Sequence, residues 1–464
     1  MQQRFVRAAL TVCLLLGSVV AFASPSERLA EAVRFETVSY QDKSLINYQA
    51  FQDLHQYLRG AFPLVFSSFQ IETVNDHSLL LRWPGTDESL KPVLFTAHMD
   101  VVPIEPGTEQ DWQHPPFAGV VADGRIYGRG TLDDKEGMMG LLEAAEQLLS
   151  QGFTPTRGLV FAFGHDEEIS GPQGATALAA RMMELGLQFE WMVDEGGMIL
   201  EDYPLVPGRQ VAMINIAEKG YLTLTLTATG EGGHASRPPV VSTIGRLSAA
   251  LARIEANPFP SRMVGPVRAM FESLAPHVEQ PEKLIFSNLW LTGDLVANNM
   301  AEDPLTASYV RTTTALTMFN AGVKENVVPQ RAEAKVNFRL LPGDTAESVL
   351  GYIEGIVDDP AIEITYDSWK IIPAVADDEG GGFAVIREAV GAVYPDALVV
   401  PSLLVATTDT RHYTEVTDNL YRFHGILVAS KQGKSIHGTD EYITQDSYLK
   451  SIEVARHMLQ LAAQ

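Results

Sequence analysis

Three apolar runs in this chain each stop at a histidine or a carboxylate. Val93 to Ala97 stops at His98-Met99-Asp100, Gly158 to Gly164 at His165-Asp166-Glu167-Glu168, and Phe189 to Val193 at Asp194-Glu195. Each run has the length of a buried strand. Between the first two lies Gly137 to Gly152, where Met138, Leu141, Leu142, Ala145, Leu148 and Leu149 recur at helical spacing and Gly152 ends the helix. Strands alternating with helices predict an α/β fold. In such sheets, sites gather at the carboxyl ends of the strands.

From Tyr221 the texture changes. Tyr221 to Ala228 alternates leucine with threonine, the mark of a strand with one wet face. Ser242 to Ile254 reads as a helix, Thr314 to Phe319 and Ala332 to Leu340 as strands, Thr345 to Val357 as a helix and Ile362 to Tyr366 as a strand. That β-α-β-β-α-β order is the split βαβ arrangement of a ferredoxin-like sandwich. The stretch from Asn257 to Thr312 does not fit it and reads as a partly helical insertion. From about Ile371 the earlier α/β texture resumes, so one domain is inserted in another.

The chain has 464 residues, 46% of them apolar, enough for two globular domains. A net charge of −24 argues against nucleic acid or anionic membrane as a partner. The N-terminus has a basic start (Arg4, Arg7), an uncharged run from Ala8 to Phe22 and a small-x-small signature at Ala21-Phe22-Ala23. It reads as a cleaved leader over residues 1–23, which predicts a secreted or periplasmic protein without stable membrane insertion. The alternative is an anchor formed by the uncleaved segment, although its apolar run is short of the roughly 20 residues a spanning helix needs. The only cysteine, Cys13, lies in this leader. The mature chain therefore has neither a disulfide nor a cysteine nucleophile, and only His, Asp and Glu could hold a metal.

Taken singly, the clusters are ambiguous. In His98-Met99-Asp100 the outer two side chains share a strand face, and a carboxylate beside an imidazole is a common orienter of a metal ligand; the triplet also suits a surface loop. Asp133, in Gly128-Arg129-Gly130-Thr131-Leu132-Asp133-Asp134-Lys135, precedes the helix and would serve equally as its N-cap. Three consecutive carboxylates at Asp166 to Glu168 repel one another by roughly 4 kcal/mol per pair at an effective dielectric near 20. A solvated loop tolerates that, whereas a buried cluster needs cations. His437, in Ser435-Ile436-His437-Gly438-Thr439-Asp440-Glu441, is either structural or a further ligand.

Together and in order, these motifs resemble the di-zinc aminoacylase/carboxypeptidase metallopeptidase family, most of all its carboxypeptidase S branch, over essentially the whole mature chain. The resemblance implies a zinc-peptidase catalytic domain with a mixed sheet (residues 24–216 and 371–464). It also implies an inserted ferredoxin-like lid and dimerisation domain (217–370), carrying the insertion near 257–312 and available for homodimer formation. It further implies that His98 and Asp194 bind one zinc, that Glu168 and His437 bind the other, and that Asp133 bridges the two through a cis peptide to Asp134. Asp100 would orient His98, and Glu167 would be the general base for a zinc-bridged hydroxide. Cobalt or manganese would fit the same donors.

By the same resemblance, Arg339 and Asn326 hold a substrate carboxylate, His234 stabilises the tetrahedral oxyanion, often in the partner subunit's site, and Arg411 contacts substrate. Arg339 and Asn326 also suit a surface salt bridge and a turn, and Arg411 a structural role. The implied reaction is cleavage of an amide bond next to a free carboxylate in a small peptide. The alternative within the family is hydrolysis or synthesis of N-acyl amino acids. A non-catalytic zinc-binding protein on the same fold would lack the base, and Glu167 is present.

Overall fold

The computed structural model describes residues 23–370, 372–429 and 432–464. The expected leader, Cys13 included, lies outside the described residues apart from Ala23. The helix Pro25–Val33 follows directly, closed by a capping box between Ser24 and Glu27.

The centre of a ten-stranded sheet is built from the expected strands. Leu159–Gly164 runs parallel to Val93–His98, which runs parallel to Met192–Asp194, which in turn runs parallel to Leu420–Arg422. All four carboxyl ends point the same way, with His98 opposite Gly164 and Asp194 opposite Arg422. Alternate side chains serve opposite faces, as the strand period requires. Phe95, Leu159, Phe161 and Phe163 pack beneath Met138, Leu142, Ala145 and Leu148 of the helix Lys135–Ser150. Leu94, Val160 and Ala162 pack on the other side against Leu178, Ala179 and Met182 of the helix Ala175–Glu184. Burial on both faces explains why these strands read as unbroken apolar runs. The strand expected from Phe189 begins only at Met192, because the Phe189 and Glu190 amides donate to the Val416 and Pro92 carbonyls instead of entering the ladder.

A separate four-stranded antiparallel sheet has the order Thr313–Ala321, Arg331–Leu340, Gly220–Thr229, Ile362–Lys370. Leu222, Leu224, Leu226, Val336 and Phe338 on its inner face meet the helices Thr243–Ala256 and Ala346–Val357 in their own core. This is the split βαβ order. The expected insertion, between the helix Thr243–Ala256 and the strand Thr313–Ala321, is helical, with Gly265–Leu274, Glu282–Phe286, Leu289–Met300 and Pro304–Val310. Its first residues stay with the small sheet, where Phe259 packs on Phe338 and Tyr352, but its helices do not. Val267, Met270, Phe271 and Leu274 pack on Val211, Ala217, Val400 and Leu403 of the large one. Where the chain passes from one sheet to the other, the Lys219 ammonium is buried and donates to the carbonyls of Ser308 (2.9 Å) and Arg311 (2.8 Å). No helix among the described residues is long and apolar enough to cross a membrane.

Candidate active site

His98 closes its strand and is buried. Its Nδ1 lies 2.9 Å from the Asp100 carbonyl oxygen. A carbonyl can only accept, so Nδ1 carries a proton, and Nε2 is the nitrogen turned to the carboxylates and the one a metal would take. That Nε2 sits 2.9 Å from Asp133 Oδ1 and 3.4 Å from Glu195 Oε1. On the other side, His437 Nε2 sits 2.9 Å from Asp133 Oδ2 and 3.3 Å from Glu168 Oε2. Asp133 thus offers one oxygen to each of two imidazoles. His98, Asp133 and Glu168 place their ligand atoms within 4.8 Å of one another, and so do His98, Asp134 and Glu195. A metal with bonds of 2.0–2.1 Å in tetrahedral geometry separates its donors by about 3.3 Å, and these contacts fall close to that spacing. The Asp133–Asp134 peptide is cis.

The electrostatics also suit cations. Burial pushes the Glu195 carboxyl up to about 8, with Asp133 adding to the effect. Burial likewise raises Glu167 well above the carboxylate range, helped by Glu195. Burial acts to raise Asp133 too, but hydrogen bonds from His437 and His98 hold it below its usual value. Glu168 Oε1 is buried without a hydrogen-bond partner. So many carboxylates out of water are stable only when opposed by positive charge, and divalent ions fit where protons shared with imidazoles otherwise stand.

Asp194 is placed differently from expectation. Its Oδ1 accepts the Thr96 hydroxyl at 2.7 Å, and the carboxylate adjoining His98 is that of Glu195. The strand ends at Asp194, so the chain turns after it and the longer Glu195 side chain reaches over the imidazole. The Asp194-Glu195 pair was visible in sequence, but strand parity cannot choose between two residues at the point where the strand stops.

Asp100 has a wider role than orienting His98. It is fully buried, its Oδ1 stands 3.4 Å from His98 Nδ1, and its two oxygens accept the Glu167 and Glu168 amides, each at 3.1 Å. One carboxylate therefore fixes both the imidazole and the acidic turn. Glu441 does similar work for the bridging residue. It accepts the Gly130 amide at 2.9 Å and the Leu132 amide at 2.8 Å and pairs with Arg129. This ties the loop ending in Asp133 to the segment bearing His437. Sequence alone assigns Glu441 no role, since a contact between segments over 300 residues apart has no local signature.

Arg411 is buried and donates to the Thr408 carbonyl, with its Nη2 3.9 Å from Asp409 Oδ1. Its charge counteracts the upward push on Glu167. Arg339 lies over the Tyr221 ring, 4.9 Å from the centroid. Burial lowers its guanidinium below the usual value, and Arg411 adds to the lowering. The two arginines thus share one electrostatic neighbourhood with the base candidate. His234 and Asn326 are neighbours of each other, through the paired strands Gly233–His234 and Val327–Val328 and the Ala235 amide on the Asn326 carbonyl. Both are exposed. His234 Nδ1 accepts the Ser236 amide and faces its hydroxyl at 2.7 Å, and His234 is in none of the candidate metal groups among the described residues.

Residues 94–461 match the family model described as Peptidase family M20/M25/M40. The chain is 37% identical over 441 residues to a probable carboxypeptidase S-like 2 of Dictyostelium discoideum, covering 94% of this chain and 84% of that protein. It is 39% identical over 440 residues to an N-fatty-acyl-amino acid synthase/hydrolase of Bos taurus, covering 94% and 87%. Among solved structures, an M20 family metallo-carboxypeptidase from Sulfolobus solfataricus superposes with a TM-score of 0.70 at 19% identity, covering 95% of this chain and 99% of that one.

Proposed function

Because this chain belongs to peptidase family M20/M25/M40, we propose that it is a metal-dependent hydrolase cleaving an amide bond next to a free carboxylate. The observation that carries this is Asp133, with one oxygen turned to His98 and the other to His437. In this scheme His98, Asp133 and Glu195 hold one divalent ion, Asp133, Glu168 and His437 the other, and zinc suits both donor sets. Glu195 takes the place first assigned to Asp194. When bound, the ions supply Lewis acidity at the amide carbonyl and lower the pKa of water to about 7.

The chain's own residues do the rest. Glu167 accepts the proton of the attacking water and delivers it to the departing amine. Asp100 keeps Glu167 in register with His98 through the backbone amides of the acidic turn. Arg339 and Arg411 provide the positive field for a substrate carboxylate. His234 and Asn326 stand side by side and exposed on the inserted domain, and in this reading a homodimer brings them to the partner's site. The leader-like N-terminus supports export, and the mass of the mature chain tests cleavage after Ala23.

Glu167→Gln is the decisive variant. With metal content unchanged, kcat should fall roughly 100- to 10,000-fold, the usual worth of a positioned base. Wild-type turnover in this variant would overturn the mechanism. The second reading, hydrolysis or synthesis of N-acyl amino acids, is favoured by the 39% identity to the bovine synthase/hydrolase. Comparing kcat/KM for C-terminally free dipeptides with that for N-acyl amino acids decides between the two.

A further inference from the structure

Behind the start of the helix that follows Asp133 lies another polar cluster. His424 stands just beyond the strand Leu420–Arg422, and its Nδ1 is 3.0 Å from Glu136 Oε1 and 3.4 Å from Asp134 Oδ1. The side chains of Asp134 and Glu136 are 0% and 1% exposed. Among the described residues, their ion-pair partner is His424, and no lysine or arginine takes that place. Asp134 Oδ1, Glu136 Oε2 and Asp194 Oδ2 are buried without a hydrogen-bond partner. Glu136, Asp194, His424 and Thr96 line a cavity of about 30 Å³, enough for one water or ion. Gly137 makes the approach possible, since a Cβ there would stand 2.3 Å from Asp134 Oδ1 and 2.5 Å from His424 Cε1.

We propose that Asp134, Glu136 and His424 form a third divalent-cation site. The donors are one imidazole nitrogen and two carboxylate oxygens, the same set as in each half of the proposed catalytic centre. All three lie within 4.8 Å of one another. The contacts of 3.0 and 3.4 Å from His424 repeat the 2.9 to 3.4 Å spacing around His98. A divalent ion there would satisfy Asp134 Oδ1 and Glu136 Oε2, the carboxylate oxygens left without a hydrogen-bond partner. Asp194 lines the same cavity, and its Oδ2, buried without a partner, would accept from a water completing the coordination. The ion would join the helix Lys135–Ser150 to the segment after Leu420–Arg422, and Asp134 would connect this site to the catalytic one, because its Oδ2 accepts the His98 amide at 3.1 Å. The site holds or fails independently of the reaction proposed above.

The test is metal content after loading the full chain with zinc and removing the excess, for wild type and Glu136→Gln. Wild type should bind three equivalents and the variant one fewer. Equal content in the two proteins overturns the proposal, whatever the total, whereas failure of the catalytic reading would change what the two proteins share. Should Glu136→Gln not fold, anomalous diffraction at the zinc edge from loaded wild-type crystals decides. A peak within about 2.2 Å of His424 Nδ1 supports the site, and its absence there overturns it.

Discussion

Replacing Asp100 with asparagine keeps the shape of a fully buried side chain but removes its charge and one acceptor. The carboxylate accepts two backbone amides, from Glu167 and Glu168, both at 3.1 Å, and faces His98 Nδ1 at 3.4 Å. An asparagine oxygen can keep one of those amides, while its NH2 group must meet the other donor head-on. A hydrogen bond to a charged group contributes about 1.5–3 kcal/mol, so losing one corresponds to roughly a 10- to 100-fold lower rate. The same range is typical of partners that orient metal ligands. The assay is kcat on a C-terminally free dipeptide with zinc added to saturation, alongside the zinc retained after gel filtration. Retained zinc should fall, and kcat should stay low even at saturating zinc, because the turn carrying Glu167 has lost its anchor. A variant within twofold of wild type at saturating zinc would refute the positioning role given to Asp100.

Arg339→Ala should lower kcat/KM at least about 30-fold for substrates with a free carboxylate and only a few-fold for their amidated counterparts. Equal losses on both would remove Arg339 from carboxylate recognition. Glu441→Gln leaves the buried Arg129 guanidinium poorly opposed, and should cost roughly 3 kcal/mol in urea unfolding of the metal-free protein; a change below about 1 kcal/mol contradicts the clamp. Burial holds His55 down to about 4, against about 6.5 for an unperturbed histidine. The folded state therefore binds fewer protons than the unfolded one, and stability is lost as pH falls from about 6.5 toward 4. Between pH 7 and pH 5 this amounts to on the order of 2 kcal/mol. His55→Leu should flatten that acid limb by a similar amount in urea midpoints, and an undiminished slope would assign the limb to other groups.

Much of this protein was legible along the chain. Burial on both faces forces unbroken apolar runs, so the strands Val93–His98 and Leu159–Gly164 and the helix between them could be placed from composition and period alone. The same local logic located the split βαβ order of the second sheet. The strand ends pointed to His98 and to the acidic turn holding Glu168, the family resemblance supplied Asp133 and His437 as ligands, and the structure brings all four side chains together.

What depended on tertiary structure is what depends on direction and distance between segments far apart in sequence. Whether Asp194 or Glu195 faces His98 is set by where a three-residue strand stops. The insertion near 257–312 shows helical periodicity, but only packing reveals that Phe259 stays in the core of the small sheet while Val267, Met270, Phe271 and Leu274 cover Val211, Val400 and Leu403 of the large one. Nothing local assigns a role to Glu441 or His424, and each acquires one from a carboxylate or backbone amide contributed by a segment hundreds of residues away. Periodicity records which face of an element avoids water; it does not record which other element supplies the partner. The three apolar runs thus mark the edge where the chemistry assembles, and the fold selects which side chains at that edge meet.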